Sequence, residues 1–478
     1  MTGNFVAILP EILLLILGIL ILVIDPFWKE SSRRINLGWL TAGGLALVAI
    51  VSILAGRPGD PAMALGGMVR FDWLGFSFKI FFILSAAITA MFMMDVKELG
   101  TRAEAYVLLV AATIGMNLMA SAADMVMLYL SIETTSIPLY VLAGFLKGDD
   151  KSTEAGFKYM LFGALTSAIL LYGFSLLFGI SGKTSLYDIA GLFKTFNPLV
   201  FGILFLILVG LAFKISMVPF HFWAPDVYDG SPTPIAGFLS TASKAAGFVV
   251  VLRVLLIVFP GIGSNWSSIL SVLATLTMTI GNFLALSQKN IKRMLAYSSI
   301  AHAGYALIGV VAFSKLGATG TAFYLIAYIL TNLAAFGSVA AVEKATGSTE
   351  MKAFYGLQRR SPGLALIMLV AFLSLAGMPP FGGFVAKVIV FAAAIQQGYV
   401  WLAVVGILNS IVGVYYYLTV LKYVYLYRME GEEEEKHPIS MTRPYTVALT
   451  ILSFGILLVG SFFGPWFAMA NQAALNLF

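Results

Sequence analysis

Nine ionisable residues lie inside stretches that are otherwise apolar: Glu11, Asp72, Lys79, Glu133, Lys214, Lys244, Arg253, His302 and Lys387, with His221 beside a proline-containing break. A charged side chain at mid-bilayer costs about 2.5–3.5 kcal/mol on insertion scales, so residues of this kind mark ion or proton paths unless they can escape to the interface. Glu11, Asp72 and Arg253 lie within about two turns of an expected helix end, from which a side chain can snorkel to the interface. Glu133, Lys214, Lys244 and Lys387 lie inside a span or beside a break, too deep to escape cleanly. Desolvation weakens an ammonium's hold on its proton and a nearby carboxylate restores it. A Glu133–Lys214 pair could therefore be switched between holding and releasing a proton by a change in the local field. The same two residues could instead be a static ion pair that fixes helix register. Static pairing leaves two further lysines uncompensated, and three lysines with one obvious carboxylate favour a proton relay.

Other chemistries lack their parts. There is no glycine-rich phosphate loop, no spaced set of His and carboxylates for a metal, and no nucleophile with a base and an orienting group. The three histidines are scattered over different segments. The chain has no cysteine, which excludes disulfides, thiolate metal sites and cysteine-ligated iron–sulfur clusters within it. No cofactor is expected in this chain.

The elements that must position these residues are membrane helices. The chain is 478 residues long, 60% hydrophobic and 11% charged, far too apolar for a soluble surface. About fourteen apolar runs are long enough to cross a bilayer: near 5–24, 36–55, 71–94, 104–120, 123–145, 155–180, 198–221, 234–258, 266–287, 292–313, 318–342, 362–397, 402–427 and 444–464. The first, from Phe5 to Ile24, lacks a basic flank and a small-residue cleavage site, and reads as a retained helix rather than a signal peptide. The net charge of +6 gives no case for nucleic acid, because the basic residues sit in loops. Odd-numbered loops hold nineteen lysines and arginines, whereas even-numbered loops hold only Arg57, Arg70, Lys183, Lys194 and Lys315. The positive-inside rule then puts the odd loops in the cytoplasm and both termini on the outer, periplasmic face of a bacterial inner membrane. The acidic run Glu430 to Lys436 reads as a solvated cytoplasmic loop.

Two spans are interrupted, the seventh by Met217-Val218-Pro219-Phe220-His221 and the twelfth by Gly377-Met378-Pro379-Pro380-Phe381-Gly382-Gly383. Proline removes a backbone donor and frees carbonyls, which inside a membrane is tolerated only where protein or a wet cavity satisfies them. The breaks are five helices apart, the arrangement expected of two five-helix units, helices four to eight and nine to thirteen, of which the second is inverted because five is odd. The expected fold is an all-α integral membrane protein with discontinuous helices 7 and 12. Its expected divisions are 1–100 for the first three helices, 101–260 and 261–430 for the two repeats, and 431–478 for the last loop and helix. Ordinary proline kinks are the alternative for either break alone.

The stretch from Phe213-Lys214-Ile215-Ser216-Met217-Val218-Pro219-Phe220-His221-Phe222-Trp223-Ala224-Pro225-Asp226 through Ser231-Pro232-Thr233-Pro234 to Ser243-Lys244-Ala245-Ala246-Gly247 closely resembles the signature of the antiporter-like membrane subunits of respiratory complex I. Leu130-Ser131-Ile132-Glu133, the run from Gln288 to Tyr305 that contains His302, and Ala376 to Phe384 followed by Lys387 support the same resemblance. Leu9-Pro10-Glu11, Asp25-Pro26 and lysine at 387 look closest to the subunit N branch of that family. The resemblance implies a proton-translocating subunit of NADH-quinone oxidoreductase, with Glu133 and Lys214 as charge pair, Lys244 as central relay and Lys387 towards the outer exit. It also implies lesser roles for His302 and for Lys158, which in sequence looks like a loop residue. Electron transfer, with NADH, FMN, iron–sulfur clusters and quinone, is expected in other subunits, and the implied neighbours are the antiporter-like subunit M and the small subunits K and J. The rival readings are a cation/proton antiporter subunit of a multi-subunit sodium/proton exchanger, which would want more oxygen ligands near Glu133, and a purely structural membrane subunit.

Overall fold

The computed structural model describes residues 2–193, 195, 197–428 and 439–477. The acidic run Glu430 to Lys436 and Lys194 lie outside the described residues. Among those described, thirteen helices are long and apolar enough to cross a membrane. The twelfth crossing is made by two shorter apolar helices, Pro362–Ala376 and Gly382–Gln396, which brings the crossings to the expected fourteen. A short helix, Phe463–Leu475, follows the last span.

The sequence starts these helices with side-chain caps. Asp72 accepts from Gly75 N ahead of Trp73–Met93, Asp124 from Val126 N ahead of Met125–Ala143, and Asn290 from Lys292 N ahead of Ile291–Val311, each at 2.8 Å. Each such bond satisfies a backbone donor that has no partner inside the helix. The sixth span begins earlier than its hydropathy implies: Asp149 accepts from Lys151 N at 2.9 Å and the helix runs Asp150–Ser181. Lys158 is therefore helical, not a loop residue.

Both interrupted spans break as expected and by the same means. Pro198–Ile215 ends on Ser216 at φ +58° and Pro362–Ala376 ends on Gly377 at φ +82°, both left-handed. In the first break Met217 N donates to Ala212 O and Phe220 N to Met217 O; in the second, Met378 N donates to Leu373 O and Phe381 N to Met378 O. The chain resumes at Trp223–Gly230 and at Gly382–Gln396. One backbone motif is thus built twice, five crossings apart, as two inverted repeats require.

Burial sorts the helices into a centre and a rim. The third (Trp73–Met93), eighth (Thr233–Val258), tenth (Ile291–Val311) and eleventh (Lys315–Thr346) spans are almost wholly enclosed, whereas the second, fifth, sixth, ninth and thirteenth keep more than half of their apolar stretch on the outside. The central helices approach closely through small residues. A methyl group on Gly304 would sit 2.5 Å from Met278, and one on Gly281 2.6 Å from Ala301 N, so ninth and tenth spans meet backbone to backbone. On the even-loop face a small antiparallel hairpin, Ala62–Ala64 with Val69–Phe71, leads into Asp72.

Candidate functional site

Of the residues singled out in the sequence, Lys214, Lys244, His302 and Lys387 are buried in the interior of the bundle. Lys214, in the last turn of the seventh span's first half, donates to Ser136 Oγ of the fifth span at 2.5 Å. Glu133, one turn before Ser136, accepts from the hydroxyl of Ser167. Among the described residues no ion pair joins Glu133 to Lys214; each is held by a serine instead, Glu133 by Ser167 of the sixth span and Lys214 by Ser136, and Glu133 is half-buried.

Lys244 lies mid-way along the fully enclosed eighth span, where a π-helical stretch, Leu239–Ser243, gives way to α-helix. Its ammonium donates to the carbonyl and hydroxyl of Ser299 at 2.8 and 2.9 Å. Ser298 shares a hydrogen bond with the Tyr417 hydroxyl, which lies 3.1 Å from His302 Nε2, and the other ring nitrogen of His302 lies 2.6 Å from Tyr324 Oη. A cavity of about 10 Å³ separates His302, Tyr324 and Tyr328 from Thr331, Ser374 and Leu375. That is about the space one water occupies. Lys387 donates to Leu375 O at 3.2 Å, Ala376 O at 3.1 Å and Ser410 Oγ at 2.8 Å, and its ammonium lies 4.9 Å from the Tyr305 ring. Leu375 and Ala376 are the last residues of a half-helix, whose carbonyl end carries partial negative charge. The break in the twelfth span therefore supplies what a carboxylate supplies elsewhere.

Neither Lys214, Lys244 nor Lys387 is ion-paired among the described residues, and all three are buried. Each holds its charge against hydroxyls, carbonyls or a helix end, partners that stabilise an ammonium without locking it. Such a set can pass a proton on; an acid–base pair of fixed partners cannot do so as readily.

Lys158 stands apart from these buried residues. Its ammonium bonds Glu154 and Asp226 at 2.6 Å each, on the odd-loop face. Asp226, on the short helix Trp223–Gly230, also accepts from Arg293 Nη1 at 2.9 Å. Burial raises the Asp226 carboxyl's proton affinity, but Lys158 and Arg293 outweigh it and hold the group below the usual carboxylate range. On the same face a pocket of about 500 Å³, lined in part by Asp95, Asp229, Lys292, Glu343 and Lys344, opens at the start of the eighth span.

The three residues expected to reach the interface do not. Asp72 and Arg253 form a two-point ion pair at 2.7 and 2.8 Å with side chains 0–1% exposed, and Glu11 pairs with Lys79 at 2.7 Å, also buried. They lie near helix ends, but those ends are covered by neighbouring segments, and their side chains are buried within the protein. The serines and tyrosines that connect the lysines were missed.

The profile of the NADH:quinone oxidoreductase/Mrp antiporter transmembrane family matches residues 122–413, from just before the fifth span into the thirteenth. The chain belongs to this family. It is 41% identical over 479 residues to NADH-quinone oxidoreductase subunit N of Trichlorobacter lovleyi, covering 99% of this chain and 97% of that one. It is 42% identical to the subunit N protein of Moorella thermoacetica, covering 100% and 99%. Among solved structures it is similar to a chain of respiratory complex I from Thermus thermophilus, with a TM-score of 0.81 and 33% identity over 97% of this chain and 99% of that one. A chain of the Mrp complex from a Dietzia species shares the fold at TM-score 0.85 and 20% identity, over 100% and 98%.

Proposed function

We propose that Glu133, Lys214, Lys244, His302 and Lys387 form a proton path through this proton-translocating membrane-arm subunit of NADH-quinone oxidoreductase, with Lys158 at the odd-loop face. The observation that carries the reading is the set of three buried lysines held by hydroxyls and a helix end instead of by carboxylates. Protons enter from the odd-loop side, which the distribution of basic residues makes the cytoplasm, and leave near Lys387 on the side of both termini, in a bacterial inner membrane. The two five-helix repeats, 101–260 and 261–430, supply one half-path each. The complex's other membrane-arm subunits are its partners; subunit M and the small subunits K and J are the neighbours this reading names. NADH, FMN, iron–sulfur clusters and quinone work in those other subunits, and their turnover reaches this chain as a change of field at Glu133 and Lys214.

The test is Lys244→Met, in the intact complex, with assembly checked on a native gel. Methionine keeps the volume of the stem and removes the ammonium. Loss of proton pumping together with quinone reduction in the assembled complex supports the path. Unchanged pumping per NADH would make the buried lysines structural.

A further inference from the structure

The path leaves two pairs of buried charges unused, Glu11–Lys79 and Asp72–Arg253. Arg253 follows Lys244 by nine residues on the same enclosed helix, about 13 Å farther towards the even-loop face at helical rise. Four of its five N–H donors are engaged: Nη1 and Nη2 donate to the two oxygens of Asp72 at 2.8 and 2.7 Å, Nε to Ala120 O at 2.8 Å, and Nη1 to Tyr187 Oη at 2.9 Å. Gly75 lies against the group: a methyl there would sit 3.5 Å from Nη2, in ordinary contact, and 3.3 Å from Ala120 O and Asp72 Oδ1, the guanidinium's own acceptors. Three separate segments, the start of the third span, the end of the fourth and the short helix Leu186–Ile189, thus converge on one cation beyond the central lysine.

We infer that the Asp72–Arg253 clamp seals the first repeat against the even-loop face, so that a proton on Lys244 can move only sideways, towards His302 and Lys387. The inference rests on the relay reading of Lys244. An arginine cannot give up its proton in a protein, so it cannot serve as a stepping stone. A fixed cation across a narrow path raises the electrostatic barrier to any passing positive charge, the device by which water channels exclude protons. Asp72 compensates the charge enough to keep it buried, and the two-point geometry holds it in place. Lysine at this position would also be a cation, but one with no fork; glutamine with asparagine would keep the approximate shape and remove both charges.

The experiment uses the intact complex in sealed vesicles and compares the double variant Asp72→Asn/Arg253→Gln with Arg253→Lys. Passive proton conductance after an imposed pH step and protons pumped per NADH oxidised are both read, after a native gel for assembly. The neutral pair is expected to raise the conductance several-fold and lower pumping per NADH while quinone reduction continues. Arg253→Lys keeps a cation that, unlike the three unpaired lysines of the path, faces a carboxylate that holds its proton on, and it is expected to stay tight. An assembled neutral pair with parental conductance and pumping overturns the inference, as does a lysine variant that leaks as much as the neutral pair. If the neutral pair does not assemble, the lysine variant decides alone: tight supports the inference, leaky overturns it. Lys244→Met added to the neutral pair is expected to abolish the leak. Normal pumping by Lys244→Met alone would instead defeat the relay reading, a result separate from either outcome at Arg253.

Discussion

Tyr417→Phe tests the path at its narrowest link. The Tyr417 hydroxyl bridges Ser298 and His302 Nε2, the connection between the Lys244 side and the Lys387 side. Removing that oxygen changes almost no volume, yet the two flanking groups are then separated by the span of two hydrogen bonds, about 5–6 Å. A proton hop needs donor and acceptor within about 2.6–3.2 Å. A positioned proton-transfer group is worth about 10²–10⁴-fold in rate, and the lower end of that range, about 2.7 kcal/mol of barrier, is the expected loss. Stability suffers less clearly: Ser298 and His302 each lose a partner, at about 1–3 kcal/mol per orphaned group. The assay is NADH-driven quinone reduction and acidification in vesicles holding the assembled complex. Tyr324→Phe is the control. It removes the hydrogen bond at the other ring nitrogen of His302 and leaves the Ser298–Tyr417–His302 link whole, so it is expected to cost stability with little rate. An assembled Tyr417→Phe complex at full rate, or equal losses in both variants, would refute the reasoning.

Gly377→Ala is expected to abolish pumping, since residue 377 sits at φ +82° and a methyl there meets the Lys387 side chain at 2.9 Å; assembly on a native gel with lost acidification is the check. Gly383→Ala is expected to prevent assembly, because its methyl would lie 1.9 Å from Ser374 O where the two half-helices join; normal amounts of complex in the membrane would contradict this. The Asp226 carboxyl is held down in the folded chain, so its ion pairs contribute fully above the unfolded value, about pH 4, and fade as pH falls through the lower folded value. Asp226→Asn is therefore expected to lower the unfolding midpoint at pH 6 but not at the acid end of that window. The size is below about 1 kcal/mol per pair, since these groups are a third exposed. Ser136→Ala, which deprives Lys214 of the acceptor that links it to the Glu133 helix, is expected to slow turnover more than it reduces the amount of complex, read as rate per assembled complex on a native gel.

Much of the fold was legible because apolar length is a direct physical requirement of a bilayer. Thirteen crossings declare themselves by length, and the twelfth by its Pro379-Pro380 break. The buried lysines were legible for the same reason, since charge in hydrocarbon stands out against its surroundings. What joins them was not. Ser136, Ser298, Ser299 and Tyr417 are uncharged and sit comfortably in apolar helices, so nothing in hydropathy separates a linking hydroxyl from an ordinary one. Pairing was equally hidden. Asp72 and Arg253 are 181 positions apart, and Glu133 meets Ser167 rather than Lys214, matters settled by which helices pack together. Depth was misjudged for Glu11, Asp72 and Arg253 because distance from a helix end says nothing about what covers that end.

The Asp72–Arg253 clamp also has a consequence for how the chain is made. Arg253 is synthesised after its partner: by the time the eighth helix leaves the ribosome, the third is already in the bilayer and Asp72 with it. Lys79 likewise follows Glu11. In both pairs the acid precedes the base, so each cation enters the lipid with a waiting anion and spends little time there alone. A gene rearranged to deliver the eighth helix ahead of the third would reverse that order and present the insertion machinery with an uncompensated arginine.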